Sequence, residues 1–348
     1  MFLRPLLPLL LAALVAGCES RAPRIRAGGA TFVDPLLQRW AAERYRTDGI
    51  EIDYLKKGSG YGIRQMTDRA LDFGCTDTPL SRAETEEATR LGGEVLHIPL
   101  AIGAVAVIYN LPGFDGDLEL SGPVLADIFL HKITRWNDLA LASLNPGKHL
   151  PNEPIVPVYR VESSGTTYLF TEYLSGVSER FRTEIGSTKQ PRWPQGGLGQ
   201  EGSDGVVGHV SKHRFSIGYA EGMFARRSAL RCAKLRNASG FVVPPDTANV
   251  LAAANRALSR TENREPYSLH ATTHSLNNAP GDDSYPIVGV SYAVLYRRQS
   301  RDKGAVLIDF FRWATVEGQI CAEVMDYVPL PDSLKAVASQ AIDRITLE

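Results

Sequence analysis

A chain of 348 residues, 44% of them hydrophobic and 22% charged, is too long for one small core and fits two domains or one domain of two lobes. Its formal net charge of −1 carries no basic excess of the kind a nucleic-acid surface needs. The seven histidines and four cysteines form no finger or ribbon spacing, and no metal or cofactor is expected.

Met1 to Arg4 gives a short positive start, Leu6 to Val15 a brief apolar run, and Ala16-Gly17 small residues before Cys18. This reads as a secretory signal peptide over residues 1–17, since the run is shorter than the ~20 residues of a membrane-spanning helix. Val15-Ala16-Gly17-Cys18 resembles a bacterial lipobox, which implies a lipid-modified Cys18 at the start of the mature chain. Residues 18–27, with Arg21, Arg24 and Arg26, read as a solvated tether. Export would place Cys75, Cys232 and Cys321 in an oxidising space. Cys75 reads as a buried inert thiol, and a Cys232–Cys321 bridge is left open.

Beyond the tether, strand-like and helix-like segments alternate, which points to α/β architecture. An apolar face over Leu36, Leu37, Trp40 and Ala41 follows Asp34-Pro35, with Pro35 suited to a first helical turn. Glu51 to Leu55 alternates as a strand, Gly62 to Arg69 starts a helix, and Ala70 to Cys75 reads as a strand. Ser81-Arg-Ala-Glu84 is a capping box for a helix over Thr85 to Leu91. Val95 to Pro99 and Ala104 to Tyr109 are β-branched apolar runs, and Ile155 to Arg160 is a further strand before a helix over Thr166 to Leu174. Ile287 to Arg297 and the amphipathic Ala305 to Val316 close the pattern. Strand-rich crossings near 97–106 and 280–290 divide the chain into lobe one (28–97 and 284–348) and lobe two (98–283).

Four segments share one design, a strand end followed by small or hydroxyl residues and a helix. They are Gly28-Gly-Ala-Thr31-Phe32, Gly58-Ser59-Gly60-Tyr61-Gly62, Asp72-Phe-Gly-Cys-Thr-Asp77-Thr-Pro-Leu80 and Arg160-Val-Glu162-Ser-Ser164-Gly165-Thr166. Helix starts leave backbone N–H groups unpaired, glycines admit close approach, and Ser or Thr adds donors. One arginine adds a bidentate clamp. Such a set suits a tetrahedral oxyanion. Asp77 would repel a bare anion and helps only when the ligand brings a proton. Monohydrogen phosphate brings one at neutral pH and sulfate does not, so Asp77 would select phosphate.

Rival patterns are incomplete. Gly58-x-Gly60-x-Gly62 lacks the dinucleotide spacing. The pairs His209/His213 and His270/His274 have no accompanying third ligand and read as surface or packing residues. Ser59 and Ser164 have no histidine partner and no nucleophile elbow, so an enzyme acting on phosphate esters is the lesser alternative.

Gly29-Ala-Thr-Phe32, Gly58-Ser-Gly60, Asp72-Phe-Gly-x-x-Asp77 and Ser164-Gly-Thr166 resemble the phosphate-binding protein of bacterial phosphate-specific ABC transporters. Further matches are Ala126-Asp-Ile-Phe-Leu-x-Lys-Ile-x-x-Trp136, Leu144-Asn-Pro-Gly147, Trp193-Pro194, Gly218-Tyr-Ala-Glu221 and Tyr327-Val-Pro-Leu-Pro331. The likeness covers nearly all of the chain after residue 27. It implies a type II periplasmic-binding-protein clam, two α/β lobes on a hinge with the ligand in the cleft. It also implies no catalysis, a monomer at the outer face of a membrane, and delivery of inorganic phosphate to a permease; a sensor without a permease is left open. Position by position, Thr31, Phe32 and Ser59 would donate from lobe one and Asp77 would accept the phosphate proton. Arg160 would clamp, with Ser164, Gly165 and Thr166 donating beside it and Glu162 supporting. Two departures stand out: Gly60-Tyr61 replaces the family's small polar residue, and Glu162 replaces the usual Asp.

Overall fold

The structure, a computed structural model, describes residues 24–259 and 275–348. The signal peptide, Cys18 and the pair His270/His274 lie outside the described residues. In chain order the elements begin with β1 (Ile25–Gly29), α1 (Asp34–Asp48), β2 (Ile52–Lys56), α2 (Ser59–Thr67), β3 (Phe73–Thr76), α3 (Arg82–Gly92) and β4 (Val95–Asn110). There follow β5 (Glu119–Ser121), α4 (Gly122–Phe129), α5 (Leu139–Leu144), β6 (Val156–Arg160), α6 (Gly165–Val177), α7 (Glu179–Glu184), β7 (Leu198–Gln200) and α8 (Gly202–Lys212). Next come β8 (Ser216–Glu221), α9 (Gly222–Arg227), β9 (Arg231–Cys232), β10 (Lys234–Arg236), β11 (Val242–Val243) and α10 (Thr247–Ser259). The chain closes with β12 (Val288–Tyr296), β13 (Arg298–Gln299), α11 (Arg301–Thr315), α12 (Gln319–Val324), α13 (Asp332–Asp343) and β14 (Thr346–Leu347).

One sheet runs through the molecule in the order β2-β1-β3-β12-β4-β8-β6-β7, with β9 also on β4. The parallel strands β1, β2 and β3 lie at one end, and β6, β7 and β8, also parallel, lie at the other. Between them β4 and β12 run antiparallel. The two apolar runs expected at 95–99 and 104–109 are a single strand, buried from Val95 to Tyr109. It changes partner midway: residues 95–104 pair with β12, and residues 105–110 pair with β8. Such a strand is buried on both faces, so it shows no alternation, and a sequence reading breaks it at its glycine.

Local chemistry explains the helix boundaries. In α1, Pro35 lies in the first turn, Leu36, Leu37 and Trp40 are buried, and Gly49 ends the helix in the left-handed conformation. The capping box at Ser81 is present with both hydrogen bonds. Trp40 is fully buried and its Nε1 donates to the Gly318 carbonyl at 2.8 Å. Burying an aromatic of that size is worth about 3 kcal/mol, provided its N–H is paired.

Three expectations need correction. The tether ends before Ile25, because Ile25–Gly29 pairs with β2 and the Arg26 N–H donates to Asp72 at 2.8 Å. The helix expected from Gly62 starts at Ser59, since the glycines there serve close packing and not a loop. Cys232 and Cys321 are both free, as is the buried Cys75, so the bridge left open does not form. His209 and His213 stack with ring centroids 3.9 Å apart. Among the described residues no helix is long and apolar enough to cross a membrane.

Candidate functional site

The strand ends of both halves of the sheet deliver the singled-out residues to one buried cluster. On the first side, Thr31 and Phe32 link β1 to α1, Ser59 opens α2, and Asp77 follows β3. The Phe32 ring belongs to the core: it packs against Tyr327, whose hydroxyl donates to the Phe32 carbonyl at 2.7 Å. With ring and carbonyl engaged there, Phe32 has only its backbone N–H left to offer a ligand. On the second side, Arg160 ends β6, and Ser164 caps α6 by accepting from the Thr167 N–H at 3.2 Å.

The two sides touch. Ser59 Oγ accepts from the Gly165 N–H at 3.1 Å and from the Asp77 N–H at 3.3 Å, and Thr166 Oγ1 donates to Asp77 Oδ2 at 3.4 Å. A side chain at Gly165 would begin 2.5 Å from Ser59 Oγ and 2.7 Å from Asp77 Cβ, so only glycine fits there. The expected set is thus brought together with one amendment. The Ser164 N–H already donates to the Lys189 carbonyl at 2.9 Å, so Ser164 has only its hydroxyl proton left to give.

Both departures from the family pattern acquire a reason. At Gly60 a Cβ would lie 2.3 Å from Ser163 Oγ, and the Gly60 N–H donates to the Ser163 carbonyl at 3.0 Å. Ser163 thus fills the space that a side chain at position 60 would need. The Tyr61 ring lies against Gly28 of β1. Glu162 keeps the guanidinium seated despite its extra methylene: Oε1 accepts from Arg160 Nε at 2.7 Å, from Arg160 Nη2 and from the Gly202 N–H at 3.1 Å. Its Oε2 is buried with no partner among the described residues.

Electrostatically, the cluster sets one buried carboxylate beside one buried cation. Asp77 and Arg160 are each only 2% exposed. Burial pushes the Asp77 carboxyl up to about 6, while the Ser291 hydroxyl, the Arg160 charge, Thr166 and Ser59 oppose that rise. Such a group can accept a proton-bearing oxygen near neutral pH. The remaining guanidinium protons and the first-turn N–H groups can serve bare oxygens.

Reading the sequence missed three contributors. Ser291 Oγ donates to Asp77 Oδ1 at 2.7 Å, and it stands where the β4–β12 register shifts. Bulges re-aim side chains in this way, and a lone serine in an apolar strand gave only a faint signal. Ser203 Oγ lies 3.2 Å from Arg160 Nη1 and 3.1 Å from Thr31 Oγ1. Its segment, Gln200-Glu-Gly-Ser-Asp204, is a fifth strand-end, small-residue, helix sequence that could have been found. The Tyr219 hydroxyl accepts from the Arg160 N–H at 3.4 Å and is 2.7 Å from Thr167 Oγ1. Among the described residues no group of three or more His, Cys, Asp and Glu could hold a metal ion.

A sheet whose two ends carry parallel strands and whose centre is a long antiparallel pair, with a polar cluster between the ends, defines a two-lobed solute-binding protein of the type II periplasmic fold. The family model of the PBP superfamily domain matches residues 16–316. The phosphate-binding protein PstS of Xylella fastidiosa (strain 9a5c) is 38% identical over 91% of this chain and 84% of its own length. That of Pasteurella multocida is 37% identical over 90% and 88%. The chain therefore belongs to the PBP superfamily and, within it, to the PstS phosphate-binding proteins. A solved high-affinity periplasmic phosphate-binding protein with bound phosphate shares the fold, with a TM-score of 0.73, 23% identity, and coverage of 91% of this chain and 93% of the other.

Proposed function

We propose that this chain captures inorganic phosphate outside the cytoplasm and delivers it to the permease of an ABC importer, without making or breaking a bond. Family membership supports the transport role. The observation that carries the ligand is Asp77, buried among Ser59, Thr166 and Ser291 and facing Arg160. A monoprotonated phosphate offers that carboxylate a donor and offers the surrounding N–H and O–H groups acceptors. Sulfate would set an oxygen against an oxygen. The ligand contacts fall to the backbone N–H of Phe32, to Thr31, Ser59, Asp77, Arg160 and Thr166, to the Gly165 N–H and to the Ser164 hydroxyl.

In this reading residues 25–97 and 284–348 form one lobe and residues 98–283 the other. They close by bending where β4 and β12 cross, a hinge of few residues. The protein works as a monomer tethered through lipid on Cys18. Replacing Cys18 with serine is expected to release it from membranes, and continued retention would defeat the anchor. Calorimetric titration of the phosphate-stripped chain lacking residues 1–18 tests the ligand. Tight one-to-one binding of phosphate and arsenate with no response to sulfate is expected; a folded protein indifferent to phosphate would refute the reading.

A further inference from the structure

Four consecutive residues, Glu201 to Asp204, bind across the cleft or to the seat of the guanidinium. Glu201 pairs with Lys57 at 3.3 Å, and Asp204 pairs with Lys56 at 2.6 Å. The Gly202 N–H holds Glu162 Oε1 at 3.1 Å, on the oxygen that also seats Arg160. Ser203 lies between them, wholly buried, with one oxygen within hydrogen-bond distance of Arg160 Nη1 and of Thr31 Oγ1. Thr31, Lys56 and Lys57 come from the β1–β2 end of the sheet, and Glu162 and Arg160 from the β6 end.

We infer that Glu201–Asp204 is a closure clasp, and that Ser203 is a positioning residue coupling the seating of Arg160 to closure of the two lobes. The inference rests on the phosphate-binding reading above and adds residues that act through others. The physical argument concerns which contacts exist in which state. The Glu162 contact stays within one lobe and survives opening. The contacts to Thr31, Lys56 and Lys57 exist only when the lobes meet. Ser203 is the one residue of the four whose side chain touches both the guanidinium and the opposite lobe. A guanidinium turned away from the ligand would leave the hydroxyl without that neighbour and slacken the Thr31 contact. The two flanking ion pairs are exposed, so they are screened by salt and slow opening only modestly.

The experiment measures dissociation of inorganic phosphate by stopped flow, with affinity by calorimetry, on the wild-type chain and four variants. Ser203→Ala is expected to speed dissociation by about tenfold or more with little change in association, as expected when contacts formed after encounter are lost. Ser203→Thr, which keeps the hydroxyl, is expected to restore most of the slow dissociation. Lys57→Glu is expected to speed release, and adding Glu201→Lys to it is expected to reverse that effect. These exposed positions keep the inference testable if Ser203→Ala does not fold. Wild-type binding of phosphate with release unchanged in both Ser203→Ala and Lys57→Glu would overturn the clasp alone. Failure of the wild-type chain to bind phosphate would overturn the functional reading and the clasp together.

Discussion

Asp77 and Glu221 are both shut away from solvent, one between the two halves of the sheet and the other at the end of β8, yet the protein treats them differently. Asp77 has hydroxyls from Ser291, Ser59 and Thr166 around it and Arg160 nearby, and its carboxyl is pushed up to about 6. Glu221 is pushed up to about 8 by burial, which the Met223 N–H and the Arg226 charge only partly oppose. Its Oε1 caps α9 by accepting from Met223 at 2.9 Å, and its Oε2 has no partner among the described residues. It lines a cavity of about 10 Å³ with Gly103, Gly222 and Arg226. Donors around a buried carboxylate keep it close to ionisation and able to accept a proton. A carboxylate with donors on one oxygen only holds its proton to higher pH and serves as a capping group.

The largest effect is expected from removing the cation beside Asp77. Arg160→Ala should weaken phosphate binding by about 2–5 kcal/mol, because it deletes the clamp and leaves the largely enclosed Glu162 without its cation. Near-normal affinity by calorimetry would take Arg160 out of the site. Next comes Asp77→Asn, which should narrow the preference for phosphate over sulfate by about tenfold or more. The matching change Glu221→Gln should leave both affinities alone. Equal effects of the two in competition titrations would mean that Asp77 has no role in anion choice that Glu221 lacks. Ser291→Ala removes one donor from Asp77, so its carboxyl should titrate higher and phosphate affinity should fall by about 1 kcal/mol. Binding measured from pH 5 to 8 would show the shift.

The smallest effect concerns stability. Glu221 keeps in the folded state a proton that the unfolded chain releases near 4.5, so its contribution is whole below that pH and is lost as pH rises through about 8. Glu221→Gln should therefore flatten the fall in Tm across that window, by about 2–4 °C for each kcal/mol recovered. An unchanged pH profile would mean that Glu221 is ionised in the folded protein. Asp77 follows the same sign over the lower window that ends near 6.

The candidate site was largely legible because its parts are local. A strand end, a glycine, a hydroxyl and a helix start fall within five to nine consecutive residues, and Thr31, Ser59, Asp77 and Ser164–Thr166 all lie in such segments. Arg160 and Glu162 were legible for the same reason, two residues apart at the end of one strand. The contributors that escaped notice arrive from elsewhere. Ser291 comes from a strand far along the chain and reaches Asp77 where the β4–β12 register shifts. Ser203 carried a readable local pattern, but its importance lies in touching Thr31, which is 172 residues away.

Neighbours within one or two turns were enough to determine the alternation of strands and helices, the proline-led start of α1, the capping box of α3 and the residue types that gather around an oxyanion. Only the tertiary structure decided that β4 is one strand shared between two halves, that Cys232 and Cys321 stay apart, and that the Ser164 N–H belongs to Lys189. It also decided that Gly60 makes room for Ser163. Each of those depends on which distant backbone comes within about 3 Å, and hydrogen-bond reach between remote segments is fixed by how the whole sheet is assembled.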